Sequence, residues 1–321
     1  MKIILLQTQP IHELGNRSNQ EDSIYPKSTQ EITDNKLFVV CDGMGGHEHG
    51  EVASKIVSET ISSIILSHHN QEEILDDDIL HDAVNAAYDN LDSADSTDIT
   101  HRMGTTLALA CFHKGGCLMA HMGDSRIYHI RPSEHRIIYK SRDHSLVYDL
   151  FQAGEITIDE LTTYPKKNVI TRAMMPHMGE RYMASVAHTA DIKEGDCFYL
   201  CSDGMLENMS DNDLLDVLCS GDSIEEKRQE LIDKTINNAD NHSAHIIYVE
   251  EVIKEDGDTS LPTDENIVKY NAINIEQEIL SEDKCNEPAF KPRINNVTII
   301  IFFCVIVAII LLILLMHIFM R

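Results

Sequence analysis

Basic residues are scarce in this 321-residue chain, which has 26 lysines and arginines against 53 aspartates and glutamates. The formal net charge of -27 and the pI near 4.8 argue against a nucleic-acid partner, because phosphates need a basic footprint on the protein. The same charge disfavours broad adsorption to anionic lipid. An acidic enzyme that acts on phosphates needs positive charge from another source, and divalent metal ions are the simplest one.

Several catalytic signatures are missing from the sequence as well. None of the eight cysteines belongs to a C-x-x-C pair or is followed six residues later by arginine, so the signature of cysteine-nucleophile phosphatases is absent. The chain has no G-x-x-x-x-G-K-[ST] loop, which excludes P-loop nucleotide hydrolysis. His47, Glu48 and His49 lack the spacing of an H-E-x-x-H zinc site. The cysteines are predicted to be buried, reduced thiols.

Acidic residues recur where runs of apolar, strand-forming residues begin or end. Hard cations such as Mg²⁺ and Mn²⁺ prefer oxygen ligands in octahedral arrangement, and distant strand ends must converge to supply enough of them. The pattern therefore predicts a metal-dependent enzyme. The acidic positions are Glu21, Asp22, Asp42, Asp124, Asp203 and Asp240.

The longest apolar run extends from Val297 to Met316 and is apolar on every face of a helix. It has the ~20 residues that cross a bilayer, so it predicts one transmembrane helix over residues 294–320. Lys291 and Arg293 precede it, and the positive-inside bias places the N-terminal part in the cytoplasm of a single-pass cell-membrane protein. Residues 251–293 are acidic, contain prolines and predict a mobile linker.

Residues 1–250 alternate short β-branched runs with amphipathic stretches. The N-terminal MKIILL is too short for a signal peptide and is predicted as a first strand. Apolar spacing predicts helices over Glu51–His68 and Ile79–Leu91, and capping boxes at Ser210 and Ser223 predict two more. The predicted fold class is α+β, an α/β/β/α sandwich of two antiparallel sheets flanked by helices, plus one C-terminal transmembrane helix.

An ordered series of motifs runs through the same residues. It comprises RSNQEDS (17–23), VVCDGMGGHEHGEVAS (39–54), MGTTLALA (103–110), AHMGDSRIYHI (120–130), the stretch 143–174, GDCFYLCSDGM (195–205) and ADNHS (239–243). The series closely resembles the metal-dependent protein phosphatases, the type 2C serine/threonine phosphatases, in their bacterial form. The resemblance covers residues 1–250 and implies a catalytic domain there, with a flap region at 143–168.

The resemblance implies that Asp42 bridges two metal ions and that Gly43 offers its backbone carbonyl to one of them. Glycine suits this position because it lets the backbone approach an ion closely. Asp203 and Asp240 match the remaining ligands of the first ion. An ordinary glycine-rich hairpin turn is the plainer alternative for the Asp42 motif.

The other acidic motifs match the outer part of the family site. Glu21 and Asp22 match residues that hold the water shell of the metals or ligate the second ion, and Asp124 with Asp203 matches the pair that binds a third, looser ion. Arg17 matches the arginine that grips the substrate phosphate with its planar guanidinium. A turn aspartate at Asp124 and a solvated arginine at position 17 are the alternatives.

The chemistry implied is direct hydrolysis by a water that two metal ions share and activate, without a covalent phosphoenzyme. The leaving oxygen needs a proton, and Met44 stands where eukaryotic relatives place a histidine. His47 or a metal-bound water would then serve as general acid. Met174 and Met175 replace the common Leu-Gly, and His242 stands where an aliphatic residue is usual. None of these departures removes a ligand.

The leading hypothesis is a membrane-anchored phosphatase, dependent on Mn²⁺ or Mg²⁺, that acts on phosphoserine and phosphothreonine and opposes a serine/threonine kinase. Its expected partners are phosphoprotein substrates, that kinase and the lipid bilayer, with no nucleic acid. A catalytically weak pseudophosphatase that binds phosphoproteins is the second hypothesis. A membrane protein whose soluble part regulates assembly is the third, and it leaves the carboxylates unexplained.

Overall fold

The computed structural model describes most of the region that the family motifs cover. The described residues are 1–7, 9–28, 35–45, 49–68, 74–95, 103–157, 160–161, 164–165, 169–254, 264–265 and 267. The predicted transmembrane helix at 294–320 and most of the predicted linker lie outside them. Within the described residues, no helix combines the length and the apolar character that crossing a bilayer requires.

Two antiparallel sheets form the centre of the fold. The first has the strand order β1 (Lys2–Gln7), β13 (His242–Ile253), β12 (Cys197–Cys201), β9 (Arg126–Arg131) and β10 (Arg136–Lys140), and β2 (Ile11–Glu13) also pairs with β13. The second has the order β11 (Ser185–Thr189), β8 (Gly116–Met122), β7 (Leu107–His113), β4 (Leu37–Cys41) and β3 (Ser23–Tyr25). A short ladder joins β5 (Gly43–Met44) to β6 (Gly104–Thr105).

Side-chain alternation along β4 shows how the core is divided. Leu37 and Val39 pack under α1 (Gly50–His68) and α2 (Asp77–Ala94), whereas Phe38 and Val40 face the apolar side chains of the other sheet. On the far side, α4 (Asp211–Leu218) and α5 (Ile224–Thr235) cover the outer face of the first sheet. The layers are therefore α/β/β/α, which confirms the predicted antiparallel sheets flanked by helices.

The helix starts follow local capping chemistry. Ser210 and Ser223 each form the predicted capping box, in which the serine hydroxyl and the third helical residue bond each other's backbone amides. In α2 the side chain of Asp76 accepts from the amide of Asp78, so the helix begins two residues before the predicted Ile79. Among the described residues of the predicted flap region, Leu146–Gln152 form helix α3.

The ordered structure continues past residue 250, where the catalytic domain is predicted to end. β13 continues to Ile253 because it pairs with β1, where Lys2 lies opposite Ile253. Further along, the amide of Asp264 donates to the carbonyl of His188 at 2.9 Å, and Ile267 is buried among the side chains between the two sheets.

Candidate metal centre

The acidic residues meet at one end of the sandwich because each lies next to a strand end. β3 pairs with β4 and β12 pairs with β13 in antiparallel ladders, so the residue before one strand lies near the residue after its neighbour. Asp22 is thereby brought close to Asp42, and Asp240 close to Asp203. Asp124 follows β8, and its carboxylate lies within electrostatic reach of Asp203.

The backbone of Asp42 is held from both sides by the β6–β7 junction. Its amide donates to the hydroxyl of Thr106 at 2.9 Å, and its carbonyl accepts from the Thr106 amide and the Thr105 hydroxyl, both at 2.9 Å. The side chain is directed among other carboxylates. Burial and the charges of Asp22 and Asp203 raise the pKa of Asp42 well above its ordinary range.

Gly43 is a position where only glycine fits. A Cβ atom there would lie 2.2 Å from the carbonyl oxygen of Gly50 and 2.5 Å from that of Glu21. The Gly43 amide also donates to the Glu21 carbonyl at 3.1 Å. The start of α1, the Glu21 segment and the strand end after β4 are therefore packed backbone against backbone.

Asp22 is 5% exposed, and one of its oxygens accepts a hydrogen bond from the Ser202 hydroxyl at 2.9 Å. The other oxygen is buried with no hydrogen-bond partner among the described residues. Burial, strengthened by the charges of Asp203 and Asp240, raises the pKa of Asp22 to about 7. This carboxylate is thus enclosed, half satisfied and close to other negative charge.

Asp203 and Asp124 show the same pattern. Asp203 opens a short 3₁₀ turn directly after β12, and burial together with the charge of Asp240 raises its pKa. Burial, with the charges of Asp203 and Asp143, raises the pKa of Asp124 to about 7. Each residue keeps one buried oxygen that has no partner in the described part of the chain.

These oxygens fit a divalent cation. Three buried carboxylate oxygens without partners are costly, and a cation would satisfy them while relieving the repulsion between carboxylates. Across the described ranges, no three His, Cys, Asp or Glu side chains are spaced to enclose a metal ion. Mg²⁺ keeps several waters and binds through one or two carboxylates, so the site suits a partly hydrated ion.

Arg17 and Asp240 form an ion pair at the rim of this group. The Arg17 Nη2 atom lies 2.6 Å from Asp240 Oδ2, and the side chains are 52% and 37% exposed. The hydrogen bond to Asp240 raises the pKa of Arg17. The predicted phosphate-binding arginine and a predicted metal ligand are therefore brought together as partners of each other.

Glu21 borders the same group, and sequence reasoning missed the neighbour that affects it. Burial, together with the charges of Glu51 and Asp240, raises the pKa of Glu21 although Arg17 opposes the change. Glu51 lies in the first turn of α1 and keeps one buried oxygen without a partner. The signal that could have revealed Glu51 is its place in the motif at 39–54, nine residues after Asp42.

A sequence profile described as protein phosphatase 2C matches residues 12–241, which is more than half of the chain. The chain belongs to the protein phosphatase 2C family. The serine/threonine phosphatase stp of Listeria welshimeri is 30% identical over 228 residues, which cover 69% of this chain and 86% of that protein. The serine/threonine protein phosphatase PstP of Mycobacterium tuberculosis is 32% identical over 207 residues, 63% of this chain. The match spans 36% of PstP's own length.

Solved structures share the fold of this phosphatase 2C family member. The Mycobacterium tuberculosis phosphatase PstP/Ppp is 26% identical and superposes with a TM-score of 0.66, over 77% of this chain and 99% of that one. The catalytic domain of PstP in complex with two manganese ions superposes with a TM-score of 0.64 at 26% identity, over 78% of this chain and 100% of that one.

His144, in the predicted flap region, is hydrogen-bonded to the backbone of Gly123. Its Nδ1 atom accepts from the Gly123 amide at 3.1 Å, and its own amide donates to the Gly123 carbonyl at 2.8 Å. Burial and the neighbouring ring of His121 lower the pKa of His144 to about 3, so the ring is neutral and its Nδ1 is free to accept. The His144 carbonyl accepts from the Thr171 amide at 2.8 Å, so the start of the predicted flap region is joined to the chain just after its end.

The sequence departures at the site are accommodated by packing. Met174 is fully buried and exchanges two backbone hydrogen bonds with Thr105, at 3.0 and 2.9 Å, beside the backbone of Asp42. His242 is 2% exposed, and its Nδ1 atom lies 3.1 Å from the Asp240 carbonyl oxygen. His47, the predicted general acid, lies outside the described residues.

Proposed function

We propose that this chain hydrolyses phosphoserine and phosphothreonine in proteins, with metal ions as cofactors and without a covalent intermediate. The observation that carries the proposal is the convergence of the Asp22, Asp42 and Asp203 carboxyl groups. Burial raises the pKa of each, and the charges of Asp22 and Asp203 raise the pKa of Asp42 further. Buried charges in proteins are paired with an opposite charge or bind a cation, so these carboxylates indicate a metal site. Phosphate chemistry also needs a group that binds the phosphate, and Arg17 lies at the rim of the carboxylates.

Mn²⁺ or Mg²⁺, as two ions with room for a third, is the proposed cofactor, and the solved PstP catalytic domain with two manganese ions supports the choice. When bound, the ions supply an activated water and neutralise charge on the phosphoryl group. Asp42 is proposed to bridge the two ions, and Asp124 with Asp203 to hold the third. The proposed ligand set is Glu21, Asp22, Asp42, the Gly43 carbonyl, Asp124, Asp203 and Asp240.

Arg17 is proposed to bind the substrate phosphate. Its planar guanidinium can donate two parallel hydrogen bonds to phosphate oxygens, and in this structure its Nη2 atom donates one hydrogen bond to Asp240 Oδ2. A cation at Asp240 would offset the charge of this carboxylate and weaken its hold on the guanidinium, which would make Arg17 more available to the substrate. His47 remains the proposed proton donor to the leaving serine or threonine oxygen.

The test is phosphate release from a phosphothreonine peptide by the full-length chain in detergent, with Mn²⁺ or with EDTA. We expect turnover with Mn²⁺ and none with EDTA. Asp42→Asn should abolish this turnover, and Asp216→Asn is its matched control, because Asp216 lies on α4 with its side chain 75% exposed. A folded chain that binds phosphopeptide and Mn²⁺ but releases no phosphate would favour the pseudophosphatase hypothesis.

Membrane anchoring and opposition to a serine/threonine kinase are further parts of the proposal, and the apolar run 297–316 supports the anchor. We expect the full-length chain to remain in membranes after carbonate extraction, and a chain without residues 294–321 to appear in the supernatant. In cells that lack the protein, phosphothreonine on membrane proteins should rise, and full-length protein should reverse the rise better than the truncated one. Equal rescue by both would contradict the anchoring proposal.

A further inference from the structure

We propose that Asn241 is a positioning residue for phosphate binding, because it fixes the backbone turn that carries Arg17. The inference deepens the proposed function and rests on it. Asn241 lies between Asp240 and the first residue of β13, and it is 3% exposed. Its side chain does not touch the phosphate-binding guanidinium, so any effect on catalysis must pass through the turn.

Three hydrogen bonds join the Asn241 side chain to this turn. Its Nδ2 atom donates to the carbonyl of Leu14 at 2.8 Å and to the carbonyl of Asn19 at 3.0 Å. Its Oδ1 atom accepts from the amide of Glu21 at 2.8 Å. The contacts bracket Arg17 on both sides, and a carboxamide is the side chain of this size that can donate twice and accept once.

The same turn rests on the residues just before Asn241. Gly15 has a φ of +60°, and a Cβ there would lie 2.1 Å from the Asp240 carbonyl oxygen, so the turn passes directly over that backbone. The Asn16 side chain donates to the Asn238 carbonyl at 3.2 Å. Like the Asn241 contacts, this hydrogen bond joins the turn to a buried residue, since Asn238 is 1% exposed.

Fixing the turn matters because Arg17 is long and half exposed, so its reach depends on the backbone below it. The Asn241 contact to Glu21 also extends toward the metal side, since the Glu21 carbonyl accepts from the Gly43 amide at 3.1 Å. The buried Asn241 carboxamide therefore fixes the position of the Arg17 backbone relative to that of the proposed metal ligands. Misplacement of a binding group by about 1 Å can cost roughly 100-fold in rate.

The test is a double-mutant cycle that combines Asn241→Asp with Arg17→Ala in the full-length chain. Asn241→Asp keeps the shape and the acceptor, but it presents a carboxylate oxygen to the carbonyls of Leu14 and Asn19. When Arg17 is retained, we expect Asn241→Asp to lower kcat/KM for a phosphothreonine peptide about tenfold, or about 1.4 kcal/mol. In the Arg17→Ala background we expect a further loss of less than about twofold.

A structural role alone would give equal losses in both backgrounds, and that result would overturn the proposal. Asn35→Asp is the matched control, because Asn35 is 1% exposed and donates to the Leu37 carbonyl in the other sheet. If Asn241→Asp does not fold, Asn241→Ser enters the same cycle, since one hydroxyl cannot bond both carbonyls.

Two measurements are independent of turnover. Hydrogen exchange in metal-free protein should quicken in peptides that cover residues 14–21 for Asn241→Asp and not for Asn35→Asp. Binding of inorganic phosphate should be weaker in Asn241→Asp than in the wild type. Adding Arg17→Ala to Asn241→Asp should then weaken phosphate binding no further. Unchanged exchange across 14–21 would contradict the proposal even if the wild-type chain hydrolyses phosphopeptide. If the wild-type chain does not hydrolyse phosphopeptide, the proposed function is refuted. The hydrogen-exchange measurement would still test whether Asn241 fixes the turn.

Discussion

The hydroxyl of Ser202 donates a 2.9 Å hydrogen bond to the carboxylate of Asp22, across 180 residues of sequence. Ser202 is fully buried, and its oxygen also accepts from the amide of Ser243 at 3.0 Å. The orientation of Asp22 therefore depends on the junction of β12 and β13, where Asp203 and Asp240 also lie. Hydrogen bonds that orient a metal ligand, from residues that do not bind the metal themselves, commonly affect the affinity for the metal.

Ser202→Ala should weaken Mn²⁺ binding by about 10-fold to 100-fold, the range typical for the loss of an outer hydrogen bond to a ligand. Isothermal titration calorimetry with Mn²⁺ is the measurement. Ser62→Ala is the matched control, because Ser62 in α1 is 2% exposed and its buried hydroxyl has no hydrogen-bond partner in the described chain. Equal Mn²⁺ affinities for Ser202→Ala and wild type would show that Asp22 is oriented by other contacts.

Asp42→Asn should lower kcat for p-nitrophenyl phosphate more than about 100-fold, because one carboxylate is proposed to serve both ions. The backbone hydrogen bonds to Thr105 and Thr106 do not involve the side chain, so we expect the fold to persist. The measurement is steady-state turnover in Mn²⁺ beside a circular dichroism spectrum. Wild-type turnover in a folded variant would contradict the proposed bridging role.

The metal-free protein should lose stability as the pH rises from about 4 to about 7. Burial raises the pKa of Asp22 and that of Asp124 to about 7, whereas an unfolded aspartate titrates near ~3.9. The folded state then binds more protons across this window, and the free energy of unfolding falls with increasing pH.

In EDTA we expect Tm to fall by at least about 4 °C across that window, since 1 kcal/mol corresponds to roughly 2–4 °C in a domain of this size. Mn²⁺ at pH 7.5 should restore more than the lost stability, because it binds the deprotonated carboxylates. A Tm that rises with pH in EDTA would mean that these carboxyl groups do not dominate the pH dependence.

Thiol alkylation should leave turnover largely unchanged. Burial raises the pKa of Cys111 and that of Cys197 to about 12, and both thiols are enclosed in strands. A buried, protonated thiol is a poor nucleophile, so neither catalysis nor reaction with iodoacetamide is expected there. Activity after iodoacetamide treatment in Mn²⁺ is the measurement, with EDTA as the positive control. Substrate-protected inactivation at an unchanged circular dichroism spectrum would indicate a cysteine mechanism.

The central strands could be predicted from the sequence because they are continuous apolar runs. β7, β8 and β12 are buried along their whole lengths, so no alternation with polar residues obscures them. The two-residue strands β5 and β6 carry no such signal, and neither does β11, whose sequence is SVAHT. β11 is a strand because the longer β8 offers it hydrogen bonds, and β5 and β6 are strands because each pairs with the other, so all three depend on tertiary contacts.

The sequence predicts that acidic residues cluster at this site, but it does not predict which residues form ion pairs or hydrogen bonds with each other. Acidic residues beside glycines at strand ends indicated a metal centre, because few other roles need that combination. The ion pair of Arg17 with Asp240 spans 223 residues, and the contact of Asn241 with Leu14 spans 227. No local pattern encodes such distant choices, since they arise only when β2 and β13 are paired.

The pairing of β1 with β13 has a consequence for synthesis of the protein. Lys2 lies opposite Ile253 and Gln7 opposite Ile247, so β1 cannot complete this pairing until β13, about 240 residues further along the chain, has been synthesised. At about 5–20 residues per second, that delay lasts on the order of tens of seconds. A chain that ends before residue 240 lacks both this ladder and the Asp240 carboxylate, so we expect it to be inactive. Translation itself would then keep unfinished chains from dephosphorylating substrates.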